Sequence, residues 1–235
     1  MLKEAMGYLI GLGKAEIHEV EGRKFSDKQL YSLKEPTADA FTIHSLTGFV
    51  DYLKTKFDYE ETLMIHVVSP EEVIAFSKLN NGASRHEFIR ATALTPEFRF
   101  DRFYNTEEFN IKMQSVFVQN EDRDIILQVV GNIREDDVKT YGDDGVSQSV
   151  VAKTGVSKVA DVIVPNPVAL KPFRTFVEIE QPVSSFVFRM QNGPSCALFE
   201  ADGGAWKINA IHRIESYLKE NLAKEIDSNK VIVIA

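Results

Sequence analysis

The residue composition of the sequence changes after Ile133. From Val138 to Lys207, short runs of β-branched and aromatic residues alternate with clusters of Gly, Pro and Asn. Such runs are typical of strands joined by turns, and about five of them favour an antiparallel meander. Because four other segments have apolar residues at helical spacing, we predict an α+β fold in which an antiparallel β-meander packs with about four helices.

Helical periodicity defines these helices. In the first of them, Thr42 or Ser45 can act as the N-cap of a segment with one apolar face. Two apolar strands come next, and a turn at Asn81-Gly82 after the second of them predicts a hairpin with residues 85–94. The predicted helices lie within residues 42–57, 103–118, 122–133 and 208–226.

The organisation along the chain predicts one main domain and an extension. Residues 1–36 alternate around a few apolar side chains and close on a proline, which is typical of an N-terminal arm or hairpin. Residues 37–235 are predicted to form a single α+β domain. Within it, residues 137–207 should be mainly antiparallel β and residues 208–226 the C-terminal helix.

Charge and cysteine content indicate which partners and which cellular compartment to expect. The 35 acidic against 27 basic residues give a net charge of −8, which disfavours general nucleic-acid binding. The single cysteine, Cys196, excludes an intrachain disulfide and fits a reducing compartment. The first residues lack a basic signal-peptide start, and no stretch reaches the length of a membrane span. We therefore expect a cytoplasmic protein without membrane insertion.

A turn rich in glycine near the C-terminus invites a chemical interpretation. Asp202 precedes two glycines, Glu200 ends the preceding apolar run, and His212 follows on a predicted helix. Turn chemistry alone explains Asp-Gly-Gly, which we expect to form a hairpin turn, while His212 should lie at the edge of the buried helix face. The alternative, an acid site, stays open.

Metal chemistry has weak support in the sequence. Glu178 and Glu180 fall on one face of a predicted strand but lack the lysine of a metal-dependent nuclease strand. The motif Tyr-Gly-Asp-Asp at residues 141–144 resembles a polymerase metal turn, yet its surroundings favour a hydrated loop. The histidines show no ligand spacing, and Cys196 is expected to be a buried thiol. We predict no catalytic residue, metal ligand or cofactor.

Residues 85–104 combine arginines with aromatic residues, a mixture that stacks on bases and pairs with phosphates. A pocket built there would take its ligand-binding groups from Arg90, Arg99 and Arg102. Three acidic residues in the same stretch reduce its net charge to +1. The alternative is an amphipathic strand pair whose arginines face water or pair with these acids.

The sequence "VIVPNPVALKPFRTFVEIEQPVSSFVFRM", followed by "ALFEADGGAWKINAIHRIESYL", resembles an uncharacterised family of phage and prophage proteins, represented by the prophage protein YfdQ. The earlier "VEGRKFSDKQLYSLKEP" and "SLTGFVDYLKTKF" are similar to that family's opening in order and character. The resemblance implies an intracellular protein made by a bacteriophage. The family has no established catalytic residues, so it assigns no roles to positions in this chain.

These observations predict a phage-encoded accessory protein in the host cytoplasm, a non-enzymatic homo-oligomer that binds a host or phage component during infection. Self-association would also cover the edges of an antiparallel meander. One alternative is a counter-defence protein that sequesters a nucleotide or signal ligand at the three arginines. A further alternative is a metal-dependent phosphodiesterase that uses Glu178, Glu180 or Asp202.

Overall fold

A computed structural model of the chain describes residues 2–29, 38–80, 83–131, 139–141, 149–151, 164–191 and 195–235. Its contacts divide the chain into two units. The first unit comprises Met1–Ala38 and Leu79–Ser84, and the second comprises Asp39–Lys78 and Arg85–Ala235.

The described residues of the first unit form one helix and one hairpin. Helix α1 spans Leu2–Gly13, and strands β1 (Ile17–Val20) and β2 (Arg23–Ser26) pair antiparallel. Glu21 and Gly22 both have positive φ angles, as a two-residue turn between twisted strands requires. Nine large apolar side chains among the described residues of this unit are exposed: Leu2, Met6, Tyr8, Leu9, Ile10, Ile17, Val20, Phe25 and Leu79.

The second unit contains the remaining elements. Its helices are α2 (Leu46–Thr55), α3 (Thr106–Val116), α4 (Glu121–Gly131), α5 (Ala205–Asn221) and α6 (Ala223–Asp227). Its strands are β3 (Phe41–Ile43), β4 (Leu63–Ser69), β5 (Glu72–Phe76), β6 (Glu87–Thr92), β7 (Tyr104–Asn105), β8 (Lys139–Tyr141), β9 (Ser149–Val151), β10 (Val168–Leu170), β11 (Ser184–Gln191), β12 (Ser195–Glu200) and β13 (Val231–Ile234).

A mixed five-stranded sheet in the order β13-β4-β5-β6-β3 forms one half of this unit. Its three central strands pair antiparallel, while β13 joins β4 and β3 joins β6 in parallel. Alternate residues of β4 and β5 are buried, as a sheet covered on one face requires. They pack against apolar residues of α2 and α5, among them Phe49, Leu53, Ile214 and Leu218.

An antiparallel four-stranded sheet in the order β10-β11-β12-β7 forms the other half. The inward residues of β11 (Phe186, Phe188 and Met190) pack in one core with Phe109 and Met113 of α3. Residues of α4 complete this core. Strands β8 and β9 form a separate antiparallel pair.

The α+β class and the antiparallel sheets agree with the sequence-based prediction. The sequence predicts a strand at residues 174–181, and this prediction is wrong. These residues form an irregular, largely buried connection. The predicted C-terminal helix begins earlier, at Ala205, and breaks at Leu222. Its buried stripe has a four-residue spacing from Trp206 onward, which leaves Ile208 exposed.

Candidate functional site

A cavity of about 500 Å³ opens in the second unit where elements of the two sheets meet. Five pieces of chain line it: the β4–β5 turn, the segment after β6, the end of α3, the segment after β10, and the first turn of α5. Half of its lining residues are proline or aromatic, and this volume is typical of small-molecule sites. Its lining comprises Ser69, Pro70, Glu71, Thr95, Pro96, Glu97, Phe98, Phe100, Val116, Pro172, Phe173, Arg174, Trp206 and Lys207.

Arg174 is the buried cation of this cavity, with 8% of its surface exposed. Its guanidinium donates to the Glu200 carboxylate and to the Ser184 hydroxyl, and it lies 3.8 Å from the centroid of the Trp206 ring. Burial lowers the pKa of Arg174, while the charges of Glu200 and Asp202 oppose that shift. Arg174 is thus held rigidly, with its charge largely offset before any ligand arrives.

The backbone around Arg174 is fixed by side chains. The Gln181 side chain accepts from the Arg174 amide at 3.0 Å and donates to the Phe176 carbonyl at 3.0 Å. The Thr175 hydroxyl donates to the Pro70 carbonyl. These bonds replace the ladder that a strand would have supplied, and they position Arg174 against the β4–β5 turn.

Two buried donors beside the cavity have no partner among the described residues. They are Nε of Arg174 and Nε1 of Trp206, and both residues are more than nine-tenths buried. An unsatisfied buried polar group costs about 1–3 kcal/mol. An acceptor atom that reached either donor would remove this cost, and both residues line the cavity.

The turn at residues 202–204 has a structural role. It connects β12 to α5 instead of forming the expected hairpin, because helix α5 begins at Ala205. Asp202 Oδ1 accepts from the Gly204 amide at 3.0 Å, while its buried Oδ2 has no partner in the described chain. His212 is exposed, not at the edge of the buried face, because the stripe follows Trp206, Ala210 and Ile214.

Among the charged residues that line the cavity, one cation and one anion have no oppositely charged partner in the described ranges. Lys207 has no carboxylate partner within the described ranges, and its ammonium lies 5.9 Å from the Trp206 ring centroid. Glu71 accepts from the Thr95 hydroxyl at 2.9 Å and has no basic partner in the same ranges. Glu97, in contrast, pairs with Arg99 at 2.7 Å, which lowers the pKa of Glu97 below its ordinary value.

The three arginines predicted from the sequence occupy different places. Arg90 is held by both oxygens of Glu87 at 2.9 Å and by Glu72 on the five-stranded sheet. Arg99 and Arg102 flank Tyr104, whose hydroxyl accepts from the Arg99 amide at 2.9 Å and whose ring lies 5.2 Å from the Arg102 guanidinium.

None of these arginines lines the cavity. No contact among the described residues joins Arg90 to Arg99 or Arg102. Their shared ligand site stays a prediction, and the pairing of Arg90 and Arg99 with nearby acids fits the amphipathic alternative.

Glu178 and Glu180 have separate structural partners. Glu178 Oε1 accepts from the amides of Leu46 at 2.7 Å and Thr47 at 3.3 Å, at the start of α2. Glu180 pairs with Lys171 at 2.6 Å and Arg213 at 3.1 Å, and these cations lower its pKa. The expected strand that would have aligned the two carboxylates is absent from this described segment.

Metal ligation has no further support in the parts of the chain that the structure describes, since they hold no group of three or more suitable side chains. Residues 142–145 of the Tyr-Gly-Asp-Asp-Gly motif, and the acidic residues 135–137 before it, lie outside the described residues. Cys196 is buried as expected, and burial raises the pKa of its thiol to about 12.

The sequence-based search missed Arg174, Trp206 and Lys207. The available signal was the single tryptophan, which directly precedes a lysine after a Gly-Gly turn, together with an arginine between two phenylalanines at 173–176. These segments are more than 25 residues apart in sequence. Their convergence depends on tertiary packing that no local pattern reports.

Comparison of the chain with protein-family models, with curated proteins and with solved structures found no match. The resemblance to the phage family therefore rests on the residues quoted above. In the described ranges, the helices are too short or too polar to span a bilayer.

Proposed function

We propose that this chain is a non-enzymatic binding protein that captures a small organic ligand in the cavity beside Arg174. The observation that carries the proposal is a cavity of about 500 Å³ lined by Arg174 and Trp206, two buried residues that each carry a donor, Nε and Nε1, without a partner among the described residues. Pockets with largely apolar walls and a few placed polar groups are typical of ligand sites. The setting we propose is the cytoplasm of a phage-infected bacterium, supported by the family resemblance.

Ligand capture predicts thermal stabilisation that a cavity-filling substitution removes. A ligand at one hundred times its dissociation constant should stabilise the protein by about 2.7 kcal/mol. Thr95→Phe places a ring in the cavity and should abolish this shift, whereas Thr55→Phe, on the exposed end of α2, should retain it. A panel of small aromatic acids, nucleosides and nucleotides is screened by thermal unfolding; an unchanged melting temperature across the panel would contradict the proposal.

Self-association is a second proposed property, favoured by the first unit. A 12-residue helix and a two-stranded hairpin are each marginal in water on their own. The apolar side chains of α1, such as Leu9 and Ile10, are 65% and 63% exposed. Their burial against a second copy would supply the missing stabilisation and agrees with the predicted homo-oligomer.

The paired substitution of Leu9 and Ile10 by glutamate should therefore reduce the subunit number. Charged side chains at a buried apolar contact are costly to desolvate. Native mass spectrometry of the full chain measures the subunit number and any retained small mass in the same spectrum. The matched control is Leu94→Glu, an equally exposed leucine of the second unit, which should leave the assembly unchanged. A wild-type monomer would refute self-association.

A further inference from the structure

The hydrogen-bonding groups of the cavity define what its ligand must offer. Arg174 and Trp206 line the cavity, and each carries a donor without a partner among the described residues, Nε and Nε1. The half-buried rings of Phe98, Phe100 and Phe173 offer apolar surface for a planar group. Nucleobases combine a flat ring with acceptor atoms along its edge, and they stack on aromatic side chains without strong sequence preference.

The charges of the cavity specify the rest of the ligand. Glu71 is an acceptor suited to hydroxyl groups, as acidic residues serve for ribose in dinucleotide sites. Lys207 lies in the first turn of α5, a 17-residue helix in which the Ala205 amide donates to the Asp202 carbonyl at 3.2 Å and the Lys207 amide to the Gly204 carbonyl at 3.0 Å. The ammonium of Lys207 is therefore the group of this turn that is suited to an anion. An unpaired lysine at a helix N-terminus is suited to one phosphate.

The same charges disfavour a chain of phosphates. The charge of Arg174 is offset by Glu200 and Asp202, and that of Arg99 by Glu97. Lys207 is therefore the one lining cation in the described chain without an acidic partner, and it shares the cavity with Glu71. Each phosphate beyond the first would add negative charge next to carboxylates with no cation left to pair with it.

We infer that the ligand of this cavity is a nucleoside monophosphate. The base lies against the phenylalanines with acceptor atoms toward Trp206, the ribose hydroxyls donate to Glu71, and the phosphate pairs with Lys207. This inference rests on the proposed ligand-binding function and adds the chemical class of the ligand. It is independent of the arginines of residues 85–104.

The single tryptophan makes the test specific, because Trp206 is the only indole in the chain and lies in the cavity wall. The full-length protein is titrated with the 5′-monophosphates of adenosine, guanosine, cytidine and uridine, and with the matching nucleosides and triphosphates. Tryptophan fluorescence is recorded. At least one monophosphate should change the fluorescence saturably, and its nucleoside should bind about tenfold more weakly because the charge-assisted contact is lost.

A matched pair of lysine variants separates phosphate recognition from a general structural effect. Lys207→Gln should raise the dissociation constant of the monophosphate about tenfold and leave that of the nucleoside unchanged. Lys219→Gln removes the same charge from the far end of α5 and should change neither constant.

Three outcomes would overturn the inference: equal or tighter binding of the triphosphate, equal weakening of nucleoside and monophosphate in Lys207→Gln, or no response to any monophosphate. The proposed function is tested separately by adding aromatic carboxylates, such as benzoate and phenylacetate, to the titrations. If these change the Trp206 signal while monophosphates do not, ligand capture stands and the nucleotide class is wrong. If no compound changes it, both proposals fail.

Discussion

Replacing Arg174 by alanine is expected to lower the free energy of unfolding by about 3 kcal/mol. The substitution leaves the carboxylates of Glu200 and Asp202 without their cation and the Ser184 hydroxyl without its donor. It also removes the group that lies on the Trp206 ring. Loss of one partner from a buried pair costs about 3–5 kcal/mol, and the lower end applies because the Glu200 side chain is 39% exposed.

Two comparison variants test this explanation for Arg174. Arg174→Lys keeps the charge but cannot reach two acceptors with a planar fork, so its loss should be intermediate. Arg102→Ala removes an exposed arginine that also lies over an aromatic ring, and its cost should stay near 0.5 kcal/mol. Urea-induced unfolding measures all three; a loss below about 1 kcal/mol for Arg174→Ala would show that the buried pair contributes little.

The Arg174 pair also allows a direct separation of charge from packing. The double variant Arg174→Met with Glu200→Leu replaces both charges by apolar groups. Because the desolvation cost of a buried pair can equal its attraction, this variant should recover much of the stability that either single change loses. Recovery of stability without recovery of ligand binding would separate the two roles of Arg174.

Local patterns were sufficient for much of the fold. The apolar periodicity of residues 42–57 predicted α2, and Ser45 is its N-cap, accepting from the Gly48 amide at 3.1 Å. The alternation in β4 and β5 likewise reported one covered sheet face. In these segments the spacing of the apolar residues matches the pattern of buried side chains, because one face of each element packs against a single core.

Residues 174–181 show where local patterns fail. Their β-branched and aromatic residues predicted a strand, but the Gln181 and Thr175 side chains satisfy backbone groups that a ladder would have used. Propensity reports whether a residue suits a half-buried surface and not whether a neighbouring strand exists. The cavity follows from this irregular segment, so it was equally invisible in the sequence.

Candidate residues chosen for chemical type had the same limitation. Arg90 and Arg99 are candidates for ligand binding because they alternate with aromatic residues, but they form salt bridges with Glu72, Glu87 and Glu97. Arg174 has a similar sequence context but is buried beside Trp206. Burial and partners distinguish the two situations, and neither can be derived from spacing along the chain.

Replacing Glu178 by alanine is expected to lower the free energy of unfolding by about 2 kcal/mol. Helix α2 begins with four amides that need acceptors. The first intrahelical bond runs from the Phe49 amide to the Ser45 carbonyl. Before it, the Gly48 amide uses the Ser45 side chain, and the amides of Leu46 and Thr47 both use Glu178 Oε1. Loss of a cap costs about 0.5–2 kcal/mol, and here one substitution leaves two amides unsatisfied.

The matched variants distinguish this cap from a metal ligand. Glu178→Gln keeps an acceptor oxygen and loses only the favourable interaction of its charge with the helix dipole, so its cost should be about 0.5 kcal/mol. Glu180→Ala removes a carboxylate two residues away that is 64% exposed, and should cost less than about 1 kcal/mol.

The free energy of unfolding, measured with and without Mg²⁺ or Mn²⁺, distinguishes the two roles of Glu178. A structural cap predicts the same destabilisation by Glu178→Ala with and without the cation, because the amides of α2 are its only partners in the described chain. A metal-dependent phosphodiesterase predicts that the cation stabilises the wild-type protein and that Glu178→Ala and Glu178→Gln both abolish this effect. The second result would restore the carboxylates as a reactive site; the first would assign Glu178 to holding α2 against the segment that carries Arg174.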